Sequence, residues 1–122
     1  DISNANPNAI NLATNTYIAS KYIGYPEIKI ILAQCTIYLA SSPKSNSSYK
    51  AINKAIDEIK NGNILSIPSH LKDKATNYLY PHDFDGYIKQ QYLSKDLKFY
   101  QSKLIGFEKT LDEWIKKIKK LI

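Results

Sequence analysis

Two histidines, one cysteine and eleven carboxylates are the first groups in this 122-residue sequence to weigh for moving a proton, attacking an electrophile or ligating a metal. The densest cluster is Tyr80-Pro81-His82-Asp83-Phe84, where an imidazole and a carboxylate are neighbours. General acid–base work needs them to share a hydrogen bond with a nucleophile at hand. Adjacency along the chain does not supply that bond, and no Ser or Cys is placed beside them. His82 therefore reads as a structural hydrogen-bonder in an aromatic loop, and His70 reads the same way. A small hydrolase using His70 or His82 is the enzymatic reading these residues leave. Cys35 rules out an intrachain disulfide and a C-x-x-C metal site. Zinc would need Cys35, both histidines and a carboxylate to converge. Ser45, in Pro43-Lys44-Ser45-Asn46, resembles a nucleophile motif only superficially, because a helix cap explains it.

The glycines are Gly24, Gly62, Gly86 and Gly106. None are spaced for G-x-x-x-x-G-K-[ST] or G-x-G-x-x-G, so neither phosphate-cradling loop is encoded. We therefore expect no ATP binding or hydrolysis by this chain and no cofactor. Calorimetric titration with ATP checks this, and a micromolar dissociation constant would overturn it.

The formal net charge is +6, and every basic residue is Lys. Val and Met are absent, whereas Ile, Asn, Lys and Tyr abound, the signature of A/T-rich codons. Lysine gathered in this way solvates surfaces, so the charge alone argues only weakly for nucleic acid. Lys116, Lys117, Lys119 and Lys120 crowd one helix end, where they answer the helix dipole. They are also the candidate phosphate contacts, together with Lys98–Lys103. With no Arg to read base edges, any DNA binding is expected to be weak, sequence-independent and salt-sensitive.

These groups must be positioned by helices. Asn6-Pro7 opens a helix to about Ile23, with Asn as N-cap and Gly24 as a left-handed stop. Leu12, Thr16, Ala19 and Ile23 form its stripe, flanked by the small Ala9, Ala13 and Ser20. Pro26-Glu27 starts a second helix carrying Ile28, Ile31, Leu32, Cys35, Tyr38 and Leu39 at helical spacing. Ile30, Ala33, Ile37 and Ala40 make it apolar on most sides, which predicts a central, buried helix, with Cys35 a small core residue. Ser41-Ser42-Pro43 ends it. Ser45 or Asn46 caps a third helix to about Lys60, with Tyr49, Ile52, Ile56 and Ile59 as its buried face and Asn61-Gly62-Asn63 as its stop. Short connections predict an antiparallel bundle.

Residues 61–106 hold neither period. They read as ordered irregular chain with a helical turn near Tyr87–Leu93, a two-stranded hairpin being the alternative. A last helix follows Gly106 with Phe107, Leu111, Trp114, Ile115, Ile118, Leu121 and Ile122 on one side. Asp112–Lys116 and Glu113–Lys117 are favourable i, i+4 pairs. The fold class is thus all-α, one domain over residues 1–122, in a chain expected to bury roughly two thirds of its unfolded surface. No apolar run approaches the roughly 18 residues of a membrane span, and no secretory leader opens the sequence. A cytoplasmic setting is expected.

Eight blocks stand in a characteristic order. They are Asn6-Pro7-Asn8-Ala9; Gly24-Tyr25-Pro26-Glu27; Leu32-Ala33-Gln34 with Ile37-Tyr38-Leu39-Ala40; Pro43-Lys44-Ser45-Asn46 with Tyr49 and Ala51; Pro68-Ser69-His70-Leu71-Lys72-Asp73; Tyr80-Pro81-His82-Asp83-Phe84; Gln91-Tyr92-Leu93; and Gly106-Phe107-Glu108. Across nearly the whole chain they resemble the C-terminal domain of the RarA/MgsA family of AAA+ ATPases, related to the Werner-helicase-interacting ATPase. The resemblance implies a helical domain similar to the clamp-loader collar, holding subunits together as a homotetramer. The parent it implies is a DNA-dependent ATPase at stalled or damaged replication forks, whose core, with ATP and Mg, lies before residue 1. DNA, through the parent, and replication-fork proteins are the implied partners, with a nucleoid-associated location if bacterial. A free-standing helical DNA-binding domain is the alternative. Relatives carry a longer, glycine-containing segment where only residues 74–79 intervene here, and often Arg at the place of Lys72. Lys lacks the bidentate fork of Arg, so a contact there is looser.

Overall fold

The computed structural model describes residues 1–120, so Leu121 and Ile122, expected on the last helix, lie outside the described residues. The described chain holds four α-helices and no strand: α1 (Asn8–Ser20), α2 (Ile28–Ser41), α3 (Ser47–Lys60) and α4 (Glu108–Lys120). Single 3₁₀ turns lie at Ser3–Ala5, Ser69–Leu71 and Pro81–Phe84. The expected all-α class holds. Neither the hairpin nor the turn at Tyr87–Leu93 forms; the helical turns of the irregular segment fall at the two His-containing blocks instead.

α1 and α2 are an antiparallel pair, since Asn8 at the start of α1 donates to the Tyr38 hydroxyl near the end of α2, at 3.2 Å. The expected stripe of α1 does turn inward: Ala9 is buried, and Leu12, Ala13, Thr16, Ala19 and Ser20 are half-buried. Asn6 does not cap α1. Its amide donates to Ser42 Oγ at 2.9 Å and accepts from the Tyr38 hydroxyl at 3.2 Å, tying the start of α1 to the end of α2. Gly24 is not the stop either. α1 ends at Ser20, and the positive-φ glycines are Gly62, Gly86 and Gly106. Gly62, with φ +83°, does terminate α3 as its Asn-Gly-Asn signal implies.

Two expected buried faces are solvent-facing. On α2, Cys35 is the buried residue, whereas Ile30 and Ile37 are 70% and 66% exposed, so α2 is not a central helix. On α3 the inward stripe is Ser47, Ala51, Ala55 and Glu58, and the apolar face expected inside points outward. Tyr49 and Ile52 there are 68% and 57% exposed, and Ile56 and Ile59 are exposed too. The physical reason is close approach: a seam of Ser and Ala admits the neighbouring backbone, and bulky Ile does not. Trp114 of α4 stacks edge-on against Phe107 at 5.6 Å yet stays half-exposed.

The total accessible surface is 9633 Å². A folded monomer of 13.9 kDa is expected to expose about 6,700 Å², and its unfolded chain about 20,000 Å². The chain therefore buries about half of its unfolded surface, not the expected two thirds.

Candidate functional site

Three segments distant in sequence meet at one point: residues 1–6, the α2–α3 connection 42–47, and the approach to α4, 102–108. Their meeting is dictated by backbone groups. Ser45 N–H donates to the Asp1 carbonyl at 2.8 Å, and Phe107 N–H donates to the Ala5 carbonyl at 2.9 Å. Ser3 and Ser48 hydroxyls share a hydrogen bond of 2.6 Å.

Glu108 closes the junction. It is the first residue of α4, where a carboxylate is favoured by the helix dipole, yet it is wholly buried. Its Oε1 accepts from the Ser45 hydroxyl at 2.6 Å and from the Ser47 hydroxyl. Its Oε2 accepts from Lys103 N–H at 3.0 Å and, more weakly, from Ile105 N–H at 3.5 Å. The two amides flank Leu104, whose φ of +58° turns both toward the carboxylate, an anion nest of backbone donors. Burial by itself pushes this carboxyl up. The hydroxyls of Ser45 and Ser47 and the amides of Lys103 and Ile105 outweigh it, and the net displacement is below the ordinary carboxylate range. A carboxylate held ionised by four donors is a staple; every oxygen is occupied, so it is no general base.

Of the residues singled out in the sequence, Pro43, Lys44, Ser45 and Asn46 belong to this junction. Ser45 is a Glu108 donor, and its Oγ also accepts from Ser47 N–H at 3.2 Å. The Lys44 ammonium donates to the carbonyls of Leu39 at 2.9 Å and Ser42 at 2.5 Å, which closes the C-terminal end of α2. Asn46 precedes α3 without a side-chain capping bond.

The other candidates lie elsewhere. His70 and Leu71 end the Ser69–Leu71 turn, followed by exposed Lys72 and Asp73. His70 Nε2 is enclosed and lacks a hydrogen-bond partner. Tyr80 precedes the Pro81–Phe84 turn and its ring lies 4.9 Å from that of His82. His82, Asp83 and Phe84 are exposed. Among the described residues no His–carboxylate hydrogen bond forms, so the structure does not assemble the acid–base pair. In the last turns of α4, Lys116, Lys117, Lys119 and Lys120 are exposed. Asp112 pairs with Lys116 at 2.7 Å and raises the Lys116 pKa by that hydrogen bond and charge, while the Glu113–Lys117 pair does not close. Glu108 was missed as an anchor. Its signal was the Gly106-Phe107-Glu108 block itself, an acid in a first turn behind a glycine.

The family model described as "MgsA AAA+ ATPase C terminal" matches residues 1–119. The chain is similar to "Replication-associated recombination protein A" of Bacillus subtilis, 38% identical over 98% of this chain and 32% of that protein. It is similar to an uncharacterized protein of Thermotoga maritima, 37% identical over 97% of this chain and 21% of that protein. "ATPase WRNIP1" of Dictyostelium discoideum is 31% identical over 85% of this chain and 14% of its own length. The first two alignments span 135 and 131 positions, more than the 122 residues here, so those relatives carry extra residues within the matched region. The chain spans a third or less of the relatives it matches. No described helix is long and apolar enough to cross a membrane. An all-helical domain, matched from residue 1 to residue 119, with its Pro43–Asn46 and Gly106–Glu108 blocks joined at one buried carboxylate, belongs to the family of MgsA-type AAA+ ATPase C-terminal domains.

Proposed function

We propose that this domain is the assembly module of a replication-associated AAA+ ATPase and holds its subunits together as a closed homotetramer. The observation that carries the reading is the uncovered apolar surface. The chain exposes 9633 Å², about 2,900 Å² beyond a monomer of its mass. A standard interface buries about 800 Å² per partner, so the excess matches more than three such patches. Large apolar groups face outward on three of the helices: Ile30 and Ile37 on α2, Tyr49 and Ile52 on α3, and Trp114 on α4. Exposed surface of this extent and chemistry marks partner contacts, and closed symmetry is the default for identical subunits.

Residues 1–122 act as one domain. The nucleotide chemistry, with ATP and Mg, belongs to an ATPase core elsewhere in the parent protein. The names of the relatives support action in replication-associated recombination, and the family resemblance extends the reading to stalled or damaged replication forks. On this reading DNA and fork proteins are partners of the whole protein, in the cytoplasm at the nucleoid.

Light scattering coupled to gel filtration tests the assembly. At tens of micromolar the expected mass is four times 13.9 kDa. A mass of 13.9 kDa persisting across a hundredfold dilution overturns it.

A further inference from the structure

α3 carries its large apolar groups as a seam. Tyr49, Ile52, Ile56 and Ile59 recur at intervals of three, four and three residues, the a and d positions of a heptad. A helix that packs on a globular core shows a broader apolar stripe; this narrow one suits pairing with a single other helix. The seam is turned away from its own chain. All four residues are exposed, while Ser47, Ala51, Ala55 and Glu58 turn inward. Lys54, on the side opposite the seam, donates to the Lys98 carbonyl of its own chain at 2.6 Å. The other exposed apolar faces lack this pattern. On α2, Ile30 and Ile37 have only Ala33 and Gln34 between them on the same side, and on α4 Trp114 is engaged by Phe107. The seam runs into a groove. At the N-terminal end of α3, Tyr49 lines an open cavity of about 990 Å³ with Ile2, Ile10 and Leu39, and the one charged side chain lining it is Asp1. At the other end of α3 stand the exposed Lys60 and, just beyond the Gly62 stop, Ile64, 77% exposed. One chain thus holds a groove and the groups that fit it at opposite ends of one helix.

The geometry points to a self-complementary contact: α3 pairs antiparallel with α3 of a second copy, seam on seam, with the C-terminal end of each helix at the partner's groove. A two-fold axis level with Lys54 sets Tyr49 beside the partner's Ile59 and Ile52 beside the partner's Ile56, so every seam residue gains an apolar neighbour. It also brings the partner's Lys60 level with Ser48, beside the groove that holds Asp1, and symmetry repeats this at the other end. A parallel pair would set Lys50, Asp57 and Lys60 each against its own copy, align the two helix dipoles and leave both grooves empty. α3 is about 21 Å long, and a strip of that length falls short of the roughly 800 Å² a side of a standard interface; the two grooves extend it. A foreign helix would have to reproduce the seam spacing, the basic end and the isoleucine beyond it, all of which a second copy supplies. In such a contact residue i meets j and j meets i, the isologous form of a two-fold dimer. The inference rests on the assembly reading and adds an axis to it: the tetramer is a pair of α3-linked dimers.

Two forms of the 122-residue chain test it, one with Ile52→Cys and one with Ile56→Cys, each also carrying Cys35→Ala so that no other thiol is present. Under oxidised glutathione, covalent dimer is expected to form much faster in their mixture than in either chain alone. Position 52 meets position 56 of the partner, and a disulfide needs Cβ atoms within about 4.5 Å. Dimer that forms as fast from each chain alone means a parallel pair and overturns the geometry; none in any sample overturns the contact. The double variant Ile52→Lys, Ile56→Lys is then read by light scattering at tens of micromolar. Both side chains are exposed, so the fold is kept, and circular dichroism verifies it. Four buried isoleucines per dimer are lost, each worth about tenfold in association. Association at least about a hundredfold weaker, and half the wild-type mass, are expected. An undiminished mass overturns the α3 contact and leaves the assembly reading standing. A wild type of dimer mass that cross-links in the mixture keeps the α3 contact and removes the tetramer. A wild type of 13.9 kDa with no cross-link overturns both.

Discussion

Replacing Glu108 by Ala is expected to cost about 3–5 kcal/mol, a large part of the 5–15 kcal/mol that holds a domain together. The carboxylate accepts from four donors, the hydroxyls of Ser45 and Ser47 and the amides of Lys103 and Ile105. Truncation leaves these donors facing a void, and each buried donor without a partner costs roughly 1–3 kcal/mol. The sum is less than additive because the 102–105 segment can relax toward water. The expected loss is roughly 10–20 °C in melting temperature for a chain of this size. Glu108→Gln should fall between, since an amide offers one acceptor oxygen and turns a donor toward donors. The pH dependence has a definite sign. The folded pKa lies below the unfolded value of about 4.3, so the stability that ionised Glu108 contributes is fully present above that value. It fades as pH falls through the lowered folded pKa. Denaturant unfolding of the wild type and the Gln variant should therefore differ at pH 7 and converge well below pH 4. An Ala variant within 1 kcal/mol of wild type at pH 7 would show that the staple is not structural.

The helices were legible in the sequence because their signals are local. Pro, Ser, Asn and Gly marked the ends within a few residues, and the spacing of Leu111, Trp114 and Ile115 marked α4. Which face each helix buries was not legible. Amphipathicity reports that Tyr49, Ile52, Ile56 and Ile59 form one apolar side; it does not report whether that side is covered by this chain or by another molecule. Here the chain uses the opposite stripe of Ser47, Ala51 and Ala55. Nor do local rules distinguish a first-turn Glu that merely answers the dipole from one buried against serines about 60 residues away. Lys98 and Lys103 were legible as isolated charges, whereas the bond from the Lys54 ammonium to the Lys98 carbonyl is a product of the tertiary fold. The same limit explains His70, which reads as a structural hydrogen-bonder in the sequence but whose Nε2 is enclosed without a partner.

Gly106→Ala should be the most damaging of the glycine substitutions, at about 3–5 kcal/mol. Two costs combine. Gly106 has a φ of +55°, a left-handed conformation that costs an L-residue roughly 1–2 kcal/mol. An added Cβ would also stand 2.3 Å from the Ala5 carbonyl oxygen and 3.1 Å from Pro43 Cγ. The clash is with backbone, so no rotamer relieves it. Ala5 must retreat, and that carbonyl is the acceptor for Phe107 N–H at 2.9 Å. The displacement thus strikes the contact that seats α4 on the N-terminal segment, one residue from Glu108. Two other glycines separate strain from clash. Gly62 has φ +83° with nothing within 4 Å of its Cβ position, so Gly62→Ala should show the conformational cost alone, roughly 1–2 kcal/mol. Gly24 has neither positive φ nor a close neighbour, so Gly24→Ala should be neutral or stabilising by about 0.4–1 kcal/mol through the unfolded state. Chemical denaturation of the three variants gives the order directly. If Gly106→Ala costs no more than Gly62→Ala, then Ala5 yields freely and the meeting of the three segments is too loose to seat α4.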